Sequence, residues 1–400
     1  MLAALLPIRD PRDRVVAYEL STYPLLGTRG IASSEEDASD TLELLSTLPL
    51  PRLTGGRPVH VPVTPMLVRE GALARHASVD AVFVIATQAL EDEETRHAIE
   101  KLVAKGFRFG LDGFPEGDPL PDALKGVTVS IDASRITALT LASRIQQLLH
   151  AGVKPLARGV DDRSTRERVI ALGVPFFSGR LLPRGAVRRN DSEAGAKRAM
   201  TMMIAFSDGR PPDNTFEVFV RNDQRLSSEV LHIFRSASMG VRGPRTLEHA
   251  FNVIGREAIL NMMTGFVARL AAESAGDIEI ALIALRRARM CERLANSFDR
   301  APHPRVRLLA GLASTLDSAF GVPATSLGGH IALSKALSDV VVEREQPLGQ
   351  LIDLIEAYDN GWWPDVYARC RLLGLSPILV RQSYFDAWRD ARDELGAAKP

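Results

Sequence analysis

The alternation of short β-rich runs with helical patterns along the first 180 residues constrains the fold of this chain more than any other feature. Between several of these runs lie amphipathic patterns, as at Ile99, Leu102 and Val103, which share one helix face ahead of Gly106. Such alternation predicts parallel strands joined by crossover helices. A doubly wound sheet and a TIM-like barrel both satisfy the pattern. The predicted strands fall at residues 2–8, 15–20, 58–63, 81–85, 107–111, 127–131, 153–157 and 175–177.

The second half of the chain follows a different pattern. Residues 184–196 carry no apolar period and are rich in Gly, Asn, Asp and Ser, so we place a linker at 186–196. Beyond it the β-rich runs disappear and apolar residues recur at helical spacing, as at Leu348, Leu351, Ile352 and Ile355. The sequence therefore predicts an α/β domain at 1–185 and a separate all-helical domain at 197–400.

Amino-acid composition limits which binding partners and which cellular compartment we expect for the protein. Lys+Arg and Asp+Glu both total 49, so net charge gives no reason to expect nucleic acid or an anionic membrane as a partner. The two cysteines, Cys291 and Cys370, form no CxxC pair, which argues against a disulfide framework or a zinc site. No apolar run approaches the roughly 18 residues of a membrane span. We expect a cytoplasmic protein, and the sequence leaves its oligomeric state open.

Several segments of the first half resemble one family in order and spacing. They are LLPIRDPRDRVVAYEL, GFRFGLDGF, VTVSID and LARGVDDRSTRERVIALGVPFFSGRLLPRG. Together they resemble the EAL family, which hydrolyses cyclic di-GMP in a TIM-like barrel. The resemblance implies such a barrel here. The segment is short for that family, so the prediction leaves open whether the ring of strands is complete.

The resemblance also implies what chemistry to look for. The family holds two divalent cations on carboxylates and an Asn at the carboxyl ends of the strands. Glu19 and Asp112 keep two of these carboxylates, and Asp161 is a shifted third. Hard cations need several oxygen ligands, so the resemblance predicts that the metal site is lost, with no catalytic residue and no cofactor. The other functional positions of the family fall on Tyr23, Pro62, Val84, Gly113, Ser130, Arg158 and Ser178.

Five polar side chains remain as candidates for a ligand pocket at the barrel mouth. Arg158 stands where the family has a carboxylate, so we expect it to keep cations away. Glu19 and Asp112 are expected to hydrogen-bond loops at the mouth. The candidates are Glu19, Asp112, Asp132, Arg158 and Asp161.

The helical half resembles the HDOD family, which often follows an EAL-like barrel. The segment NDQRLSSEVLHIFRSASMGVRGPRTLEHAFNVIG carries most of this likeness. HDOD domains are relatives of phosphohydrolases that bind metal through an adjacent His-Asp pair, and this sequence has no such dipeptide. We expect Trp362 and Trp363, which follow Asn360-Gly361, to be structural.

These observations predict a bacterial signal-transduction protein that is not an enzyme and acts through contacts with other signalling proteins. One alternative is a cyclic di-GMP receptor that binds without hydrolysis, which the replaced residues make less favoured. The other is an enzyme with a repurposed pocket built on Asp112, Asp132, Asp161 and Arg158.

Overall fold

The protein is described from a computed structural model. By the contacts among its residues, the chain divides into two units. The first unit comprises Met1–Leu181, Glu356–Arg371 and Ser376–Gln382, and the second comprises Leu182–Ile355, Leu372–Leu375 and Ser383–Pro400. The segments 356–371 and 376–382 thus group with the barrel, whereas the sequence prediction had placed them in the helical domain. The structure describes residues 1–24, 35–76, 80–115, 124, 126–179, 227, 264–270, 272, 278–298, 303–315, 339–341, 343–344 and 346–397.

The sheet of the first unit confirms every predicted strand. In the described residues it consists of β1 Leu2–Arg9, β2 Val15–Tyr23, β3 Val59–Pro62, β4 Ala81–Ala86, β5 Arg108–Asp112, β6 Thr128–Asp132, β7 Lys154–Arg158 and β8 Phe176–Phe177.

The strands form a closed barrel in sequence order, which confirms the TIM-like barrel over the doubly wound sheet. β2 to β8 run parallel, and β1 is antiparallel to both of its neighbours. The ring closes where Arg9 of β1 pairs with Phe177 of β8, so the expectation that the ring could be incomplete is wrong. β1 lies between β2 and β8, runs opposite to both, and so completes the ring.

The turn between β1 and β2 makes that reversal. The Asp10 carboxylate accepts hydrogen bonds from the backbone N–H of Arg12 at 2.9 Å and of Arg14 at 3.0 Å. Asp13 adopts a left-handed conformation with φ 61°, which Asp tolerates better than most residues. The local sequence therefore specifies a tight hairpin.

The connecting helices begin at the polar residues that sequence rules favour. Asp92, Thr137 and Asp162 each accept a hydrogen bond from the backbone N–H three residues later, and so cap the helices that begin at Glu93, Ala138 and Arg163. The helices of the first unit up to residue 171 are α1 Glu35–Thr47, α2 Leu50–Thr54, α3 Pro65–Arg69, α4 Glu93–Ala104, α5 Ala138–His150 and α6 Arg163–Ala171.

Alternate residues of each strand face the interior of the barrel. Arg158 of β7 contacts Glu19 of β2 and Asp112 of β5, and these strands are not neighbours in the ring. Their side chains can meet only inside the barrel, so the residues two and four positions earlier face inward too. In β5 to β7 each strand has three inward positions, of which only the middle one is fully buried. From the amino to the carboxyl end, they are Arg108, Gly110 and Asp112 in β5; Thr128, Ser130 and Asp132 in β6; and Lys154, Leu156 and Arg158 in β7.

Aromatic side chains hold the C-terminal segment 356–371 against β1 and β2. The buried Tyr358 hydroxyl donates to the carbonyl of Ala3 at 2.7 Å, and the Trp363 indole N–H donates to Ser21 Oγ at 3.2 Å. The Tyr23 ring stacks on Trp363 with centroids 6.5 Å apart. The structural role predicted for Trp363 is confirmed, because only 6% of its surface is exposed.

The described residues of the second unit are helical. Within α7 (Ile278–Leu294), Arg286 lies over the rings of Tyr384 and Trp388, and Arg289 pairs with Glu394.

The segment that carries the HDOD resemblance lies outside the described residues except for Ser227, so that resemblance stays a prediction. The remaining helices, some of which contribute residues to both units, are α7 Ile278–Leu294, α8 Pro304–Ala313, α9 Gln346–Asp359, α10 Trp363–Leu373 and α11 Pro377–Ala397.

None of the helices that the structure describes is both long enough and apolar enough to cross a bilayer.

The hydroxyl of Tyr358 provides a test of the C-terminal contact. We expect Tyr358→Phe to lower the free energy of unfolding by about 1–2 kcal/mol, because a buried hydrogen bond is lost. Tyr367→Phe is the matched control, since its hydroxyl bonds the Pro24 carbonyl at 3.1 Å in a more open position, and should change stability less. Urea unfolding followed by circular dichroism measures both. Equal effects of the two changes would contradict this packing.

His60 makes barrel stability depend on pH. It is the second residue of β3, 8% exposed, and burial, with a smaller effect of nearby Arg108, lowers its pKa to about 4. The unfolded chain, with an ordinary His pKa of about 6.5, binds more protons between pH 6.5 and 4, so stability falls as pH falls through that window. We expect His60 to account for about 3 kcal/mol of this loss. Measured from pH 7 to 4, His60→Gln should flatten the slope, whereas His97→Gln, at an exposed position, should not.

Candidate functional site

An arginine bridges two carboxylates inside the barrel, at the carboxyl ends of the parallel strands. Arg158 Nη1 lies 3.3 Å from Glu19 Oε1, and Arg158 Nη2 hydrogen-bonds Asp112 Oδ1. We call Glu19, Asp112 and Arg158 the mouth cluster. The sequence predicts all three residues as candidates, with Arg158 repelling cations and the carboxylates binding loops. The structure instead makes Arg158 their counter-ion.

Hydrogen bonds from neighbouring strands fix the Asp112 side of the cluster. Ser130, which pairs with Asp112 across β5 and β6, places its hydroxyl 2.9 Å from Asp112 Oδ1. Thr87, just after β4, places its hydroxyl 2.7 Å from the carbonyl oxygen of Gly113 and 3.0 Å from that of Asp112. The sequence alone does not indicate Thr87 as a site residue, because only the strand register shows that it faces the turn after β5.

Partial burial makes the charges of the cluster interact strongly. The side chains of Arg158, Glu19 and Asp112 are 23%, 23% and 16% exposed. Burial alone would lower the pKa of Arg158, but Glu19 and Asp112 outweigh it, and the pKa is raised above its ordinary value. A guanidinium can donate to two acceptors at once in a fixed geometry. The cluster therefore forms ion pairs across the barrel and links three strands that share no backbone hydrogen bonds with one another.

The other two candidates lie beside the cluster and have different surroundings. Asp132 pairs with Arg158 in register and contributes to its raised pKa, but its own oxygens bind the following loop. Asp132 Oδ1 accepts from Ser134 N–H at 3.0 Å, and Oδ2 lies 3.0 Å from Arg135 Nε. Asp161 is exposed in the loop after β7. The structure thus brings three of the five candidates together, places a fourth alongside, and leaves Asp161 at the rim.

The side chains at this mouth do not fit a pair of divalent cations. Glu19 and Asp112 are both engaged by Arg158, and the inward positions Pro62 and Val84 offer no side-chain oxygen. Tyr23 stacks on Trp363 instead of presenting a polar group. Within the described ranges, no three His, Cys, Asp or Glu side chains are grouped so as to hold a metal ion.

Comparison with known proteins gives one sequence relative of note. No family model matches the chain. Over 115 residues, 29% of the chain, the sequence is 30% identical to the cyclic di-GMP phosphodiesterase CdgJ of Vibrio cholerae. The matched stretch spans only 27% of that protein.

Two solved structures illustrate the structural likeness. A standalone versatile EAL protein from Vibrio cholerae O395, with c-di-GMP bound, is 17% identical, with a TM-score of 0.36, and the match covers 45% of this chain and 90% of that one. Klebsiella pneumoniae BlrP1, with manganese and cyclic di-GMP at pH 6, is 18% identical with a TM-score of 0.37, and the match covers 44% and 54% of the two chains.

The comparisons correct one prediction. The chain was predicted not to be an enzyme, but its sequence relative is named a phosphodiesterase, which points to an enzyme family. The prediction rests on the replaced metal ligands of the barrel and on the missing His-Asp dipeptide of the helical half. Such replacements indicate which cations a site can hold, and they do not establish that the remaining side chains carry out no chemistry.

Removing the guanidinium tests the mouth cluster. We expect Arg158→Met to lower the free energy of unfolding by about 2–4 kcal/mol, because Glu19 and Asp112 then face each other in the barrel without a counter-ion. Arg135→Met is the control, since this pair with Asp132 involves an arginine side chain that is 83% exposed, and should cost at most about 0.5 kcal/mol. Urea titration at pH 7 measures both. A loss for Arg158→Met no larger than that of the control would contradict the bridging role.

Proposed function

We propose that this chain is a bacterial signal-transduction protein of cyclic di-GMP signalling that acts through contacts with other signalling proteins. The observation that carries the proposal is the 30% identity to CdgJ over 115 residues. The closed barrel, with its polar carboxyl-end mouth, fits the same relationship. The HDOD resemblance of residues 197–395 would supply a second interaction module.

The charge balance at the mouth favours protein contacts over nucleotide contacts. Arg158 is matched by Glu19 and Asp112, and Asp132 adds a further carboxylate beside them. A nucleotide phosphate that approached Arg158 would compete with both of its partners and meet their negative charge. The bridged strands would form a rigid surface of the kind that partner proteins recognise without much rearrangement.

A second candidate is a receptor that binds cyclic di-GMP at the same mouth. It is favoured by the position of Arg158, whose planar guanidinium can pair with a phosphate in two-point geometry. In that case Glu19 and Asp112 would orient the guanidinium before the nucleotide arrives, and the phosphate would replace one of them.

Two measurements on the full chain separate these functions. A two-hybrid matrix against the diguanylate cyclases and phosphodiesterases of the source organism should yield at least one partner, to be verified with purified proteins. Calorimetry with cyclic di-GMP, and a hydrolysis assay with Mg²⁺ or Mn²⁺, run in parallel. We expect a protein partner and nucleotide binding weaker than about 10 μM.

The outcomes that contradict the proposal are distinct. If no partner is found and cyclic di-GMP binds more tightly than about 10 μM, with affinity lost in Arg158→Met, the receptor function replaces it. Hydrolysis of cyclic di-GMP by the wild-type chain would instead make the protein a phosphodiesterase.

A further inference from the structure

A second site lies at the opposite end of the barrel from the mouth cluster. There, residues at the amino ends of the strands line a cavity of about 400 Å³ that is open to solvent. This is within the size range of small-molecule sites. The buried middle inward residues of β5, β6 and β7, Gly110, Ser130 and Leu156, lie between the cavity and the mouth. The function proposed above makes no use of it.

The walls of the cavity are largely apolar and aromatic. Phe107, Phe109 and Phe176 line it, together with valines from the neighbouring strands and from α4. Phe107 and Phe109 both pack on the buried Phe83, with ring centroids 6.0 and 6.2 Å away, on the face of their strands that points away from the barrel interior. The inward apolar lining consists of Ile8, Ala17, Val82 and Phe176. Moving the apolar body of a ligand from water onto such a surface would be favourable in free energy.

Three basic side chains line the same cavity, and no carboxylate does. Arg108 is already paired with Asp80, which balances its charge. In the described part of the chain, Lys154 has no carboxylate partner, so its ammonium group is available to a ligand. His60 is buried, lines the cavity, and has no hydrogen-bond partner among the described residues.

We propose that this cavity binds a small monocarboxylic acid with an apolar, aromatic or aliphatic body. The carboxylate pairs with the Lys154 ammonium and accepts a hydrogen bond from the His60 ring, and the body packs among the inward residues Ile8, Val82 and Phe176. Burial lowers the pKa of His60 to about 4, so at neutral pH the ring is uncharged and one nitrogen carries the proton that it donates.

The charge of the site selects a monoanion over a phosphate. One unpaired ammonium group and one neutral ring can satisfy a single carboxylate, whereas a dianionic phosphate has more charge and more acceptor sites than this pair can match. The aromatic walls leave no further donors for it among the residues that line the cavity, apart from Thr128 and the already paired Arg108.

The probe for the test is phenylbutyrate, compared with its uncharged amide, in calorimetry on the full chain at pH 7. We expect phenylbutyrate to bind with a Kd below about 1 mM and about tenfold more tightly than the amide. Lys154→Met should remove this preference. Lys101→Met, which removes an exposed lysine of α4 outside the cavity, should leave it intact.

Several results would overturn the proposal. Equal affinity for the acid and the amide in the wild-type chain is one, and it decides the question even if Lys154→Met fails to fold. Unchanged binding in folded Lys154→Met is another. Val82→Phe, which fills part of the cavity, should abolish binding, and retained binding in that folded variant would show that the probe lies elsewhere. Cyclic di-GMP should not compete, because the proposed nucleotide contacts are at the other end.

Discussion

The interior of the barrel depends on the charge balance around Arg158. Its guanidinium joins Glu19 and Asp112 across strands that are not neighbours in the ring. Two carboxylates that face each other in a partly buried space need a positive charge between them, which can come from a metal ion or from a side chain. Here the side chain supplies it. The positive charge between the two carboxylates is thus part of the covalent chain.

The two ends of the barrel consequently have different properties. The carboxyl end presents a paired, nearly balanced set of charges, with Asp132 binding its own loop. The amino end presents an apolar cavity with an unmatched lysine and a neutral histidine. The first arrangement suits a fixed recognition surface and the second suits a small ligand. Both arrangements follow from the alternation of inward and outward residues along the strands, since Lys154 and Arg158 are inward residues at the two ends of β7.

The sequence predicted the strands well because each one carries its own local pattern and turn residues. Closure of the ring and the packing of Tyr358 and Trp363 on the barrel unit were not predictable, because both depend on pairings between distant segments. For the site, the sequence identified Glu19, Asp112 and Arg158 but did not predict that Arg158 pairs with both carboxylates. Residue identity alone could not show that the guanidinium reaches both carboxylates. The amino-end cavity was missed entirely, since His60 and Lys154 share no sequence motif.

The most direct test of this account is a double-mutant cycle between Arg158 and Asp112, using Arg158→Met, Asp112→Asn and the double variant in urea unfolding at pH 7. If the guanidinium is the counter-ion of the carboxylate, the two changes should be coupled by about 1–3 kcal/mol. A coupling energy indistinguishable from zero would mean that the two side chains do not stabilise each other, and the account of the barrel mouth would be wrong.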